Sequence, residues 1–168
     1  MSFEAVQAHF NKAGLGGRVV VQARTSATVE LAAEAIGCEP GRIAKTMSFL
    51  VGETPVLVVA AGDARVDNAK FKARFAKKAS MIPGDRVEAL VGHPLGGVCP
   101  FAVLSGVVVH LDESLRRFDF VHAAAGSPNG TVGLTIPELE AHSGHSGWVD
   151  VCSVRPTTSD SPAEPRSP

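Results

Sequence analysis

The sequence predicts an α+β fold, in which helices flank a curved, mixed and largely antiparallel sheet. Three observations predict it. The chain has 168 residues, which is enough for one domain with a sizeable core. More segments have the pattern of strands than of helices. The strand segments follow one another in adjacent pairs, whereas strands and helices would alternate strictly in a fold built from βαβ units.

The first half of the chain is predicted to contain three helices, a single strand and a hairpin. In chain order these are a helix over residues 3–13, a strand over 18–23, a helix over 28–36, paired strands over 44–51 and 55–61, and a helix over 67–77. Phe3, Val6 and Phe10 share one face of the first helix. Gly37 ends the second helix, and Asp67 is a candidate N-cap of the third.

The second half is predicted to be richer in strands. In chain order it has a short helix over 86–91, an irregular loop over 92–101, strands over 103–111, 118–125 and 131–135, a helix that ends near Gly144, and a strand over 148–154. Thr135 and Glu138 have the spacing of a capping box, which fixes the start of that last helix. From residue 155 the chain is rich in Pro, Ser and charge, which predicts a folded domain over 1–154 and a disordered tail over 155–168.

Composition and charge limit the classes of function. The formal net charge is -1, so any contact with nucleic acid must come from a local basic patch. No apolar run is long enough to span a bilayer, and the first residues lack the pattern of a signal peptide. Cys38, Cys99 and Cys152 are far apart, which suits reduced thiols better than a disulfide framework or a zinc site. We therefore expect a cytoplasmic protein with no membrane partner.

Lys45 lies in a strand that otherwise has the pattern of a buried one. Ile43, Met47 and Phe49 share its strand parity, so a regular strand directs the lysine toward the core-facing side. Burial of an unpaired ammonium is costly. Either the lysine binds an anion or a polarised carbonyl at the edge of a pocket, or its stem packs while its ammonium reaches water.

The stretch GHPLGGVCPF, residues 92–101, is too rich in Gly and Pro for regular structure. Its unshielded backbone could donate N–H groups to an oxyanion or hold an attacking water. Alternatively, Gly and Pro only form the corners of a tight connection. Cys99 and His93 in the same stretch could act as nucleophile and base, although a cysteine is often a small buried apolar residue.

Two further groups of side chains are candidates for binding. Basic residues recur at helical spacing in and just after the 67–77 helix: Lys70, Arg74, Lys77 and Lys78. They could follow the phosphates of a nucleic acid or form an ordinary solvated surface. His142 and His145 have ligand-like spacing, but two histidines beside Gly and Ser make a poor metal site. His110 and His122 lie in predicted strands and are expected to be structural.

Taken together, these segments resemble the family of YbaK and prolyl-tRNA-synthetase-associated editing domains. The resemblance covers roughly residues 3–154 and rests on the order and spacing of four stretches: RIAKTMSFL at 42–50, PVLVVAAGDARVDNAK at 55–70, GHPLGGVCPF at 92–101 and VHAAAG at 121–126. The most specific signals are the lysine in its Lys45-Thr46 setting and the GxxxP motif from Gly96 to Pro100.

The resemblance implies a partial barrel flanked by helices and an activity that acts in trans. That activity is the hydrolysis of the ester that joins a wrong amino acid to the 3′ end of a tRNA, without a cofactor or a metal. The implied partners are aminoacyl-tRNA, through its 3′ end and acceptor stem, and a synthetase. Alanine, cysteine, serine and threonine are all open as the amino acid removed, because the late strand has alanines where many family members have polar residues.

The resemblance also implies roles for individual residues. Those expected at the reacting ester are Lys45, Gly96, Gly97 and Pro100. Those expected to bind the substrate nearby are Thr46, Val98, Ala124 and Gly126, and the basic residues at 70, 74, 77 and 78 are expected to contact tRNA. Two other functions stay open: a catalytically silent module that binds tRNA or a synthetase, and a thiol hydrolase that uses Cys99 and His93.

Overall fold

The computed structural model describes residues 2–23 and 28–154. Its helices are α1 (Ser2–Lys12), α2 (Val29–Ile36), α3 (Asn68–Phe75), α4 (Val87–Val91) and α5 (Ile136–His142). Its strands are β1 (Val19–Val21), β2 (Ile43–Val51), β3 (Thr54–Ala61), β4 (Ala64–Val66), β5 (Val108–Asp112), β6 (Phe120–Ala124), β7 (Gly130–Thr135), β8 (Trp148–Val149) and β9 (Cys152–Val154). The predicted tail lies outside the described residues.

Seven of these strands form one sheet in the order β1-β7-β6-β2-β3-β5-β8, and β4 pairs separately with β9. The two longest ladders are antiparallel, with eight residue pairs between β2 and β3 and five between β6 and β7. The ladders β2–β6, β3–β5 and β5–β8 are parallel. The predicted α+β fold, with a mixed sheet flanked by helices, is therefore confirmed.

The hairpin of β2 and β3 forms the centre of the sheet. Residues 56–61 of β3 are buried without alternation, as expected for a strand that is covered on both faces. Around the sheet, Phe49 packs on Phe71, and Phe10 packs edge-on against Phe101. These contacts attach α3 and α1 to the core through large aromatic side chains, which contribute most to burial.

The helix starts follow from local side-chain chemistry and agree with the sequence. Asp67 accepts a hydrogen bond from the Lys70 N–H and caps α3. Thr135 and Glu138 form both bonds of the capping box at α5. The predicted end of α3 is two residues too late, because Ala76 adopts a left-handed conformation and closes the helix after Phe75.

Three strand predictions are wrong in extent. The strand predicted over 18–23 comprises only Val19–Val21. The strand predicted over 103–111 begins only at Val108, because a turn closed by a hydrogen bond from Val107 N–H to the Leu104 carbonyl, with Gly106 at φ +93°, precedes it. The strand predicted over 148–154 is two strands in different sheets. Its second half pairs with β4, a three-residue strand whose sequence carries no clear strand signal. None of the described helices is long and apolar enough to cross a membrane.

Candidate functional site

The centre of the site is a gap beside strand β2. At its start β2 pairs with β6, but that ladder contains only two residue pairs, Ile43 with His122 and Ala44 with Ala123. Farther along, residues 80–82 take over the same edge, because Leu50 N–H donates to the Ser80 carbonyl and Ile82 N–H donates to the Ser48 carbonyl. The edge of β2 between these two neighbours is open.

Backbone groups of Thr46 point into this gap. In an antiparallel hairpin, alternate residues direct their N–H and C=O groups to opposite edges. Ser48 and Leu50 bond outward, away from β3, and Thr46 has their parity. In addition, the buried hydroxyl of Thr46 has no hydrogen-bond partner among the described residues. Thr46 therefore presents its main-chain polar groups at the gap.

A cavity of about 280 Å³ fills the gap. We call it the lysine cavity. Its lining comes from α2 and its N-cap (Thr28, Val29, Ala32, Ile36), β2 (residues 43–48), Met81, the glycine-rich loop (Leu95, Gly96, Val98), β6 (His122, Ala123, Ala124), the β6–β7 turn (Ser127, Pro128) and β7 (Gly130, Thr131). Met81 and Leu95 are 57% and 70% exposed, which is unusual for large apolar side chains at one cavity.

Lys45 lies at the border between the lysine cavity and a second, more open cavity of about 840 Å³. Its ammonium donates hydrogen bonds to the backbone carbonyls of Gly62 and Ala64, and it forms no ion pair with any described carboxylate. Burial lowers the pKa of Lys45, and Cys152 opposes this to a smaller degree. The lysine is thus held by neutral oxygens, and its charge stays available to a ligand.

Residues 92–101, here called the glycine loop, depend on glycine at two positions. Gly96 has φ +92°, a conformation that side chains disfavour. A Cβ at Gly97 would lie 2.6 Å from the Gly126 carbonyl carbon and from the Ser127 nitrogen, so only glycine fits against that backbone. The loop is consequently packed tightly against the β6–β7 turn.

The loop amides differ in their availability. The Gly97 N–H donates to the Pro94 carbonyl over 2.9 Å, so this N–H is occupied within the loop, and the role of Gly97 at the ester stays a prediction. The N–H groups of Gly96 and Val98 have no acceptor within residues 2–23 and 28–154. Both residues line the lysine cavity and could donate to a developing oxyanion.

The cavity contains Lys45, Gly96, Thr46, Val98 and Ala124 of the predicted site. The other three predicted residues lie outside its lining. Gly97 and Pro100 are buried residues of the glycine loop, and Gly126 packs against the backbone of Ser2.

His122 is a cavity residue that the sequence analysis assigned a structural role. It lines the cavity from β6, and no described residue forms a hydrogen bond with its ring. Burial, and secondarily the charge of Arg42, lowers the pKa of His122, which favours a neutral imidazole. Its parity could have identified it, because Ala124, two residues along the strand, was expected in the pocket.

Cys99 and His93 do not form a nucleophile and base. Burial raises the pKa of the Cys99 thiol to about 12, so the thiolate is absent near neutral pH. His93 Nε2 lies 2.6 Å from the Phe101 carbonyl and must donate its proton there, so it cannot accept one from the thiol at 3.4 Å. These two facts argue against a thiol hydrolase.

The remaining histidines do not form a metal site. His142 Nδ1 lies 3.1 Å from His9 Nε2, and His145 packs on Trp148. The part of the chain that the structure describes contains no group of three or more His, Cys, Asp or Glu side chains arranged to hold a metal ion.

The basic residues near α3 differ in their partners. Lys70 donates to Asp150 and to the Cys152 carbonyl, each over 3.0 Å, and the Arg74 guanidinium lies 4.9 Å from the centre of the Phe75 ring. Lys77 and Lys78 are exposed. Lys70 is thus paired with a carboxylate, whereas Arg74, Lys77 and Lys78 have no acidic partner among the described residues.

Comparison with known proteins assigns this fold and site to a class and then to a family. The crystal structure of "a putative trans-editing enzyme for prolyl tRNA synthetase" has a TM-score of 0.80 at 29% identity, covering 90% of this chain and 97% of that chain. This chain therefore belongs to a class of small domains that have a mixed sheet and share the fold of that structure. The model of the aminoacyl-tRNA editing domain matches residues 23–141, and this chain belongs to that family.

Two curated relatives support the assignment. "Uncharacterized protein YwhH" of Bacillus subtilis (strain 168) is 44% identical over 153 residues, which is 90% of this chain and 98% of that protein. "Putative Cys-tRNA(Pro)/Cys-tRNA(Cys) deacylase EbsC" of Enterococcus faecalis (strain ATCC 700802 / V583) is 32% identical over 101 residues, which is 59% of this chain and 62% of that protein.

Proposed function

We propose that this protein is an aminoacyl-tRNA deacylase that acts in trans and hydrolyses the ester between a wrong amino acid and the 3′ end of a tRNA. One observation carries the proposal: a single cavity is lined by Lys45 and by Gly96 and Val98, whose backbone N–H groups have no acceptor among the described residues. Membership of the aminoacyl-tRNA editing family supports it.

The proposed mechanism uses charge stabilisation by the backbone. The ester carbonyl oxygen accepts hydrogen bonds from Gly96 and Val98 as water adds to the carbonyl carbon. The bond from that carbon to the ribose oxygen then breaks, and the ribose oxygen leaves with a proton. Lys45 binds the phosphate of the terminal adenosine or the ester carbonyl, and the neighbouring ribose hydroxyl assists. Such preorganised donors typically provide about two to three orders of magnitude in rate.

The cavity wall favours a small amino acid. Ala123 and Ala124 line it together with the neutral His122, which can donate or accept one hydrogen bond. We propose alanine, cysteine, serine and threonine as the candidate amino acids. Cysteine is the first to test, because the printed name of the Enterococcus relative specifies Cys-tRNA.

The proposal extends to partners and compartment. The acceptor stem of the tRNA, and a synthetase that releases the mischarged tRNA, are the partners expected of an enzyme that acts in trans. Cys38, Cys99 and Cys152 are free thiols, as is usual in a reducing compartment, and we propose the cytoplasm.

The decisive experiment is a deacylation screen. Purified protein is mixed with tRNAs charged with alanine, cysteine, serine, threonine or proline, and the wild type is compared with Lys45→Ala. We expect the wild type to release one amino acid and the variant to lose about 100-fold or more of that rate. Lys12→Ala removes an exposed lysine of α1 and is the matched control, with unchanged release.

The alternative is a catalytically silent module of the same fold that binds tRNA or a synthetase. No release from any charged tRNA, combined with measurable tRNA binding, would favour this alternative. Equal release by the wild type and Lys45→Ala would contradict the assignment of the site while leaving the activity in place.

A further inference from the structure

A buried histidine connects the first turn of α1 to the glycine loop. His93 has 0% of its surface exposed, yet both ring nitrogens have partners. Nδ1 lies 2.5 Å from the Ser2 hydroxyl oxygen, and Nε2 lies 2.6 Å from the Phe101 carbonyl oxygen. A buried polar ring with two short hydrogen bonds links two segments that are 91 residues apart in the sequence.

These partners fix the proton on the ring. The Phe101 carbonyl can only accept, so Nε2 carries the hydrogen and donates it. Nδ1 is then an acceptor, and the Ser2 hydroxyl must donate to it. Burial lowers the pKa of His93, in agreement with a neutral ring. Ser2 is therefore the donor that satisfies the buried Nδ1 atom, and its loss would leave that atom unpaired.

A second set of contacts connects the same residue to the loop. A Cβ at Gly126 would lie 2.8 Å from the Ser2 carbonyl oxygen, and a Cβ at Gly97 would lie 2.6 Å from the Gly126 carbonyl carbon. The backbones of Ser2, Gly126 and Gly97 are thus stacked without intervening side chains. The glycine loop is held from two directions, through His93 and through Gly126, and Ser2 takes part in both.

We propose that Ser2 and His93 form a positioning pair that fixes the glycine loop with the N–H groups of Gly96 and Val98 facing the lysine cavity. Neither residue lines the cavity, so the pair acts through the loop. This inference rests on the proposed function for its effect on catalysis. The effect on the loop itself is independent of any activity.

The first test measures the loop directly. Amide hydrogen exchange at Gly97, the buried loop residue whose N–H donates to the Pro94 carbonyl, is compared in the wild type, Ser2→Ala, Ser2→Thr and the control Ser105→Ala, whose exposed side chain forms no hydrogen bond with the described residues. We expect exchange about tenfold faster in Ser2→Ala, since one buried hydrogen bond is lost. Ser2→Thr keeps the hydroxyl and should restore slow exchange, and Ser105→Ala should match the wild type. Unchanged exchange in Ser2→Ala would overturn the proposal.

The second test separates positioning from a general loss of stability. With the charged tRNA that the screen identifies, Ser2→Ala should lower kcat about tenfold, with KM within about threefold and the melting temperature within a few degrees of the wild type. A fall in kcat that follows the melting temperature in every variant would contradict a positioning role. A wild type without deacylase activity would refute the proposed function, and the exchange measurement would still decide the positioning pair.

His93 itself is tested by substitution with glutamine. His93→Gln retains an amide that can donate to the Phe101 carbonyl, but it changes the geometry of the acceptor that faces Ser2. If the pair acts as a unit, adding Ser2→Ala to His93→Gln should speed exchange by less than twofold beyond the single variant. If the two substitutions speed hydrogen exchange independently, so that their effects multiply in the double variant, Ser2 and His93 do not act as a pair. A misfolded His93→Gln leaves Ser2→Ala and Ser2→Thr to decide the question.

Discussion

At the residue scale, the position of Lys45 explains why a strand otherwise built for burial contains a lysine. The ammonium lies between two cavities and is held by the carbonyls of Gly62 and Ala64. Carbonyl oxygens satisfy its donors without neutralising its charge. A lysine in this environment costs desolvation energy in the free protein, and an anionic ligand would recover that energy.

The first prediction follows from this desolvation. Lys45→Met keeps the length of the side chain and removes the charge, so we expect deacylation to fall about 100-fold or more. The free energy of unfolding should stay within about 1 kcal/mol of the wild type or rise, because the variant no longer buries an ammonium. Thermal unfolding and single-turnover deacylation are the measurements. A variant that is strongly destabilised would show that Lys45 is structural.

The second prediction concerns Cys99. With a thiol pKa raised to about 12 by burial, Cys99→Ala should retain deacylation within about threefold, since a protonated thiol is a poor nucleophile. The cost should appear in stability, at about 1–2 kcal/mol for the small cavity left in the core. Cys38→Ala, at a half-buried position, is the control. A complete loss of activity in a folded Cys99→Ala variant would support the alternative function as a thiol hydrolase.

Individual residues were predictable only where a local pattern fixes their direction. Strand parity placed Lys45 with the core-facing residues of its strand, and the parity that His122 shares with Ala124 would have identified it as a cavity residue. The contacts of Gly97 were not predictable. Its N–H bonds to Pro94 within the loop, and its missing side chain makes room for the backbone of the β6–β7 turn. Neither contact leaves a periodic signal in the sequence.

At the element scale, α5 shows how a helix start is stabilised by charge. The Glu138 carboxylate accepts the Thr135 N–H over 2.9 Å and receives two hydrogen bonds from Arg18, of 2.8 and 3.2 Å. The hydrogen bonds from Arg18, followed by the one from the Thr135 backbone, lower the pKa of Glu138 from its ordinary 4.5. The capping box thereby connects α5 to the segment just before β1.

The third prediction follows from this lowered pKa. Glu138→Gln should reduce the free energy of unfolding by about 1–2 kcal/mol at pH 7, where the carboxylate is charged. A carboxyl group whose pKa is lower in the folded state adds stability above its unfolded pKa and loses it as the pH falls through its folded pKa. The difference between the wild type and variant should therefore shrink at acidic pH. Urea unfolding at several pH values measures it, with exposed Glu88→Gln as the control.

The fourth prediction concerns the basic residues near α3. Lys77→Glu with Lys78→Glu should weaken tRNA binding and lower the slope of log affinity against log salt by about 1–2, because two free cations are lost. Lys70→Ala should mainly reduce stability, since Lys70 is bonded to Asp150 and the Cys152 carbonyl. Lys12→Glu with Arg86→Glu is a control of equal charge change. Unchanged affinity at low salt would assign Lys77 and Lys78 to ordinary surface.

Elements were predictable where their causes are local. The β2–β3 hairpin, the Asp67 cap and the α5 capping box depend on residues within a few positions of one another. The split of residues 148–154 between two sheets depends on distant partners. β8 pairs with β5, and β9 pairs with β4. A seven-residue segment cannot encode which distant edges it will meet.

At the scale of the whole molecule, the fifth prediction concerns the extent of the domain. The last described strand, β9, pairs with β4, so the fold needs the chain at least to Val154. We propose that the domain ends after Val154, because from residue 155 the sequence is rich in Pro, Ser and charge. A chain shortened to residues 1–156 should keep the melting temperature within a few degrees and deacylate at the wild-type rate. A shortened chain that ends before residue 150 lacks β9 and should be clearly destabilised, and a large loss in the first truncation would refute the domain boundary.

At the open edge of β2, the groups proposed to act on the ester differ in kind from the groups proposed to select the amino acid. In the proposed site, the polar groups around the ester come largely from main-chain atoms at Thr46, Gly96 and Val98, and every amino acid except proline carries both a backbone N–H and a backbone C=O. The wall that would meet the amino acid consists of ordinary side chains, such as Ala124 and His122. Substitutions in that wall could therefore redirect the protein to a different mischarged tRNA while the reaction chemistry is inherited unchanged.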